Sequence, residues 1–456
     1  MKNPLKLFSF KKKEKGLTAS AGSAVGVHAE PISRPGRQYK SQKVSKPDAY
    51  YVKLSGVSRF WRYVVTFALL IFAVGMTFLF SDEITAENFG LLLRNVSFSF
   101  PGENVAFTTV RYDADLAMDF AAYKEYFAVS TTTGLRLYDH RGHIALDEEL
   151  KMSDPTLDSG EKYILVYDKE GYEYKVCNSI SLLFSGKEEG AIHYADLCDE
   201  GSFLMVTGSS AYRSVIKVYN RSFNLQRELT VDRYPLSANL SPNGKMLLFL
   251  SCTTGEDGSI KGYVNLYDLK EKTELLLEQD YDRIPLYGVP TDEGAAVVFS
   301  DGVRFYDKEG RERSFFSFDG KSLYRHAASD RMLGLAFEEN NVAGEYTVMA
   351  LDLQGGELLF EGSHRGRIRD LFVCGKTVFV SDDGNTVSID CESGEQTVHK
   401  GEQPLNIVCS EDGTVFACYG NKSENIGKVN IENGDGETEH QDRENEEMPS
   451  PSVNRE

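Results

Sequence analysis

The chain has 456 residues, 50 Lys and Arg against 69 Asp and Glu, and a net charge of −19. A surplus of acid makes for a poor binder of nucleic acid or anionic lipid by bulk attraction. Seven cysteines cannot all pair within one chain, and no CxxC spacing occurs, so neither a complete disulfide framework nor a structural zinc site is expected.

Charge is spread unevenly. Residues 1–62 hold 14 Lys and Arg against Glu14, Glu30 and Asp48, a net of +11, and everything beyond Arg62 carries −30. Residues 1–59 are rich in Gly, Ala, Ser, Pro and Lys without periodicity, and read as a disordered basic segment. Residues 60–80 include Tyr63 to Phe80, YVVTFALLIFAVGMTFLF, 18 residues without a charge. As a helix this run spans about 27 Å, close to the roughly 30 Å of a bilayer core. The polar stretch ahead of it is far longer than the leader of a cleavable signal, so a permanent signal anchor is expected. Arg59 and Arg62 precede it, and Asp82 and Glu83 follow. The positive flank predicts a single-pass protein of the cell membrane, N-terminus cytoplasmic and the acidic remainder extracytoplasmic. Residues 81–104 then read as a juxtamembrane stalk.

From residue 105 to 432 the chain repeats itself. Alternating strands end in Asp or Asn: GLRLYD (Asp139), EYKVCN (Asn178), VIKVYN (Asn220), YVNLYD (Asp268), GVRFYD (Asp307), TVMALD (Asp352) and TVSID (Asp390), with KVNIE (Glu432) as a degenerate eighth copy. The step averages about 42 residues, the size of a propeller blade of four short strands. Between these markers lie Gly turns followed by apolar strands, as in DSGEKYILVY, DEGSFLMVTG and PNGKMLLFLS. Outer strands such as HIALDEE and TELLLEQ follow the markers. The pattern predicts an all-β, eight-bladed β-propeller tethered by one N-terminal transmembrane helix. Seven blades is the alternative, because the last copy has no outer strand of its own. ENVAFTTVRY, ahead of the first unit, is expected to complete that blade and close the ring beside Cys409 and Cys418. Most cysteines sit in apolar runs and are expected to be free core thiols. Residues 433–456, with eight acids against two Arg, read as a disordered acidic tail.

DSGEKYILVYDKEGYEYKV, ADLCDEGSFLMVTGSSAYRSVIKVYN and ANLSPNGKMLLFLSCTTGEDGSIKGYVNLYDL resemble domain-of-unknown-function family 5711, across roughly residues 105–432. The resemblance implies a membrane-anchored, propeller-like ectodomain of Gram-positive bacteria. The family has no assigned activity, so the resemblance transfers no functional residue.

Catalytic signatures are missing. HExxH, GxSxG and P-loop patterns do not occur. The one Trp, Trp61, lies at the membrane, which argues against the quinone-dependent propellers with their repeated Trp. Asp113, Asp115 and Asp119 read as a hydrated edge loop rather than a calcium site. SDDGNT and SEDGT read as Gly turns. No cofactor or metal is expected.

Arg and His instead gather on the loops that lead into inner strands, which share one face of a propeller. GAIHYADL, VDRYPLSA, YDRIPLYG, SLYRHAAS and HRGRIRDL supply Arg233, Tyr234, Arg283, Arg325, His326 and Arg365 as candidate ligand-binding residues. Arg with Tyr is the composition of a protein-binding hot spot, and Arg grips carboxylates in bidentate fashion. The competing reading pairs these arginines with Asp232, Asp282 and Asp370 to lock blade to blade. The expected function is a binding or scaffold module for an envelope protein, peptide or glycan. The alternative is a propeller hydrolase or lyase acting on cell-wall polymer, which would need carboxylates converging at one channel mouth with raised pKa.

Overall fold

The structure, a computed structural model, describes residues 60–72, 109–139, 142–255, 257–270, 273–339 and 344–429. The expected basic segment 1–59, stalk 81–104 and tail 433–456 lie outside the described residues, as does 73–80 of the expected membrane span. The chain divides into two compact units, residues 1–82 and 83–456. The described part of the first is a helix over 60–72 with every residue solvent-exposed. Among the described residues, no helix is long and apolar enough to cross a membrane.

The second unit is a ring of eight four-stranded antiparallel sheets. Blades 1 to 7 each use four strands consecutive in the chain. Their inner strands are Met118–Tyr123, Pro155–Ser159, Ile192–Leu197, Tyr234–Leu240, Tyr287–Thr291, Ser322–Ala328 and Asp370–Cys374. Second strands are sheltered on both faces and so read as continuous apolar runs: Phe203–Thr207, Gly294–Val298 and Thr377–Ser381 are buried throughout. Outer strands such as Leu182–Lys187 alternate half-buried and exposed residues. The core lies between blades. Leu165, Tyr167 and Val176 of blade 2, for example, pack on Ile192, Phe203 and Met205 of blade 3. Each such side chain contributes roughly 1.5–3 kcal/mol of burial.

The marker Asp and Asn residues have a common physical task. Each turns the chain from third to fourth strand by accepting backbone N–H groups ahead of it. Asn178 Oδ1 takes Ile180 and Ser181, Asp307 Oδ1 takes Glu309 and Arg311, and Asp390 Oδ1 takes Glu392 and Ser393, all at 2.8–3.1 Å. Where the first unit lacks its turn glycine, Lys124 takes the left-handed conformation instead, φ +53°.

Blade 8 settles the blade count. It consists of Asn406–Cys409, Thr414–Cys418 and Lys422–Lys428, and its outer strand is Thr109–Arg111 from the start of the domain. Thr109, Val110 and Arg111 pair with Glu424, Ser423 and Lys422. The Tyr112 hydroxyl locks the seam, 2.7 and 2.5 Å from the Tyr419 and Lys422 carbonyls and 2.9 Å from Ser423 Oγ. The third strand of blade 8 is Lys422–Lys428, KSENIGK, because the chain reverses at Gly420 and Asn421, with Tyr419 N–H bonding Lys422 O at 2.8 Å; the expected eighth marker at Glu432 lies outside the described residues.

Candidate binding face and channel mouths

Strand direction assigns every loop to one of two faces. Loops leading into inner strands share a face with the turns between second and third strands. Turns between first and second strands open on the other face, where the chain also enters at Thr109 and leaves at Val429, whose N–H bonds Gly413 O in such a turn.

All six predicted site residues lie on the first face, but they do not form one ring of free guanidinium groups. The Arg233 guanidinium is 3.3 Å from Asn265 Oδ1, ion-pairs with Glu278 and lies 3.8 Å over the Tyr263 ring. All three partners belong to blade 4 itself. Arg283 pairs with Asp301 on the adjacent turn of blade 5, and Arg365 with Glu345 at 3.0 Å within blade 6. Only Arg325 crosses between blades, donating from Nε to the Arg369 carbonyl at 3.2 Å. The expected partners Asp232, Asp282 and Asp370 are therefore replaced by acids on neighbouring strands and turns. A blade's third and fourth strands stand closer to a loop-borne guanidinium than the residue beside it in sequence. His326 stacks on Tyr287 at 4.6 Å, and burial lowers its pKa.

This face exposes large apolar side chains among its charged residues. Tyr212, Tyr234, Leu236 and Leu286, from blades 3, 4 and 5, are 43–50% exposed. Arg213 lies 4.6 Å over the Tyr234 ring. Bulges interrupt the inner ladders at His193, Leu236 and Tyr324, each left without a partner between paired neighbours. A bulge re-aims the side chain it carries, and here it does so on the rim of the ring. Nothing in the alternation pattern announces such a bulge, so Leu236 went unnoticed in sequence, as did Tyr212 in the turn between Phe203–Thr207 and Ser214–Tyr219.

Midway down the inner strands, carboxylates staple successive blades. Asp119 accepts the Leu157 N–H, Asp158 the Leu197 N–H and Asp196 the Leu240 N–H, at 2.6–2.9 Å. Burial raises all three carboxyls, Asp196 to about 6, and the neighbouring Asp196 charge raises Asp158 further. This staple explains Asp119 without calcium. Asp115 instead bonds Thr132 and Leu116, and among the described residues no group of His, Cys, Asp and Glu could hold a metal ion.

The opposite mouth is acidic. Glu161, Asp199, Asp292, Asp330 and Glu411 follow or adjoin the ends of five inner strands. Two cavities of about 990 and 490 Å³ open there and share Asp199, Asp330, Arg331 and Lys376. Burial, then the charges of Asp330, Glu161 and Glu411, push Asp199 up to about 7, and burial raises Asp330. The signal was present in sequence, as the acid after each inner strand in DSGEK, CDEGS, TDEGA, ASDR and SEDG, although in four of the five a glycine alone explained the turn.

The fold defines a class, an eight-bladed β-propeller, here with an acidic mouth opposite the aromatic face, the one that carries the exposed Tyr212 and Tyr234. Within it, the chain belongs to the family of unknown function DUF5711, whose model matches residues 99–427. No curated protein matches the sequence. Similar solved structures include Sqt1 of Saccharomyces cerevisiae, at 11% identity and TM-score 0.49 over 72% of this chain and all of that one. The Pan2 WD40 domain of Neurospora crassa gives 9% identity and TM-score 0.41 over 71% of this chain and 95% of that one.

Proposed function

We propose that this protein is a membrane-tethered, extracytoplasmic scaffold that holds an envelope protein, peptide or glycan on its aromatic face. The observation that carries the reading is the exposure of Tyr212, Tyr234, Leu236 and Leu286 on three consecutive blades, interspersed with Arg213 and Arg283. Apolar anchors beside guanidinium groups are the composition of binding hot spots. Both described ends of the propeller, Thr109 and Val429, lie on the other face. Arg283, Arg365 and Tyr234 are the contacts, with an acidic segment of the partner as counter-charge. Arg233, Arg325 and His326 hold the platform beneath. The uncharged run 63–80 and the charge reversal across it support the tether.

A photo-crosslinking residue at position 234 in the native cell should capture a defined partner, and one at position 293 on the opposite face should not. Leu236→Glu with Leu286→Glu should abolish capture without moving the melting temperature. Equal capture from both faces would overturn the assignment.

A second reading, a hydrolase or lyase acting on cell-wall polymer, is supported by Asp199, whose carboxyl is raised to about 7 beside Asp330 in the acidic mouth. Release of soluble fragments from purified wall polymer, lost in Asp199→Asn, is its test.

A further inference from the structure

Five of the seven cysteines are buried; Cys252 and Cys409 are partly accessible. Cys374 ends the inner strand of blade 7 and Cys409 ends the inner strand of blade 8. Their side chains pack together in the seam between the two blades. Both belong to one apolar cluster with Phe379, Ile407 and Val415. Both also line the cavity of about 490 Å³ that opens on the acidic face. Cys409 faces that space from a half-buried position, whereas Cys374 is 4% exposed behind it.

We propose that Cys374 and Cys409 are the site of a reversible disulfide that joins blade 7 to blade 8. The oxidant is a small disulfide able to enter the cavity. The Cys409 thiolate attacks one of its sulfurs, the S–S bond breaks, and one small thiolate leaves, with a mixed disulfide on Cys409. Cys374 then gives its proton to solvent and attacks Cys409 Sγ. The Sγ–Sγ bond forms and the second small thiol departs. Two protein sulfurs lose two electrons, and one small disulfide becomes two thiols. The location suits such a bond, because blade 8 is the only blade closed by a strand from the other end of the domain. That strand, Thr109–Arg111, has three residues. A cross-link here closes a loop of the unfolded chain beside the seam that the Thr109–Arg111 ladder and the buried Val110 hold. The bond is independent of the binding face, and its failure leaves the proposed function untouched.

Full-length protein is incubated folded with oxidised glutathione or with dithiothreitol, quenched in acid, unfolded, alkylated and digested. After oxidation two of the seven thiols should be lost to alkylation, with one linked peptide joining Cys374 to Cys409. Cys374→Ser should stop at the first step and carry glutathione on Cys409, while Cys409→Ser should keep all its remaining thiols. Oxidised wild type should melt several degrees above reduced wild type, a difference absent from Cys409→Ser. Seven alkylated thiols after oxidation, a link between any other pair, or a Cys374→Ser protein free of glutathione would each overturn the proposal.

Discussion

Asp158 meets two demands of the inner ring with one side chain. Its carboxylate takes the N–H of Ser159 at 2.9 Å and that of Leu197, on the next blade, at 2.6 Å. Asp158→Ala leaves both amides without an acceptor and should cost roughly 1–3 kcal/mol, read by denaturant unfolding. Asp199 makes a different prediction. Its folded pKa, about 7, lies above the ordinary value of 3.8, so the folded state holds a proton that the unfolded chain releases. Its contribution to stability is complete below about pH 4 and is lost as pH rises through about 7. Melting temperatures from pH 4 to 8 should fall through that window, and Asp199→Asn should flatten the fall and melt higher at pH 8. A profile unchanged by the substitution would show that Asp199 ionises freely. Among the arginines, Arg233→Ala should cost about 1–2 kcal/mol through its ring contact and hydrogen bonds. Arg365, 85% exposed, should cost less than about 0.5 kcal/mol. Calorimetry of the two variants separates a residue that holds the platform from one available to a ligand.

At the scale of elements the sequence was most informative where one local rule repeats. The Asp and Asn markers cap the same turn in seven blades, and second strands are apolar because blades cover both their faces. Those two rules carried the blade count, the strand order and the closure by the first strand. Blade 8 escaped them. Its third strand, KSENIGK, pairs on both sides like the others, with Thr109–Arg111 and Thr414–Cys418, but it is polar and does not end in Asp or Asn, so no local period distinguishes it. The bulges at His193, Leu236 and Tyr324 were equally hidden, since a bulge depends on the partner strand as much as on its own residues. The partners of the guanidinium groups come from strands some 20 to 45 residues away, as with Arg233 and Glu278, and neighbouring sequence suggested the wrong acids. Closure itself is testable. Deleting residues 104–112 removes the outer strand of blade 8 and bares the edge of Lys422–Lys428, and the protein should aggregate in light scattering. A monodisperse deletion variant of unchanged stability would show that the seam does not depend on that strand.

Across the whole molecule the distribution of charge supports an orientation for the proposed tether. The basic surplus stands entirely before the uncharged run at 63–80, and the described propeller receives the chain on its acidic face, at Thr109. Positive flanks resist translocation, whereas a domain of net acid does not, so the N-terminal segment should stay inside and the propeller outside. Protease added to intact protoplasts should therefore remove epitopes placed after residue 81 and spare an epitope at the N-terminus. Lysed cells provide the control, in which both are cut. An N-terminal epitope lost from intact cells, or a C-terminal one protected in them, would reverse the orientation and, with it, the kind of partner available to Tyr234 and Leu236.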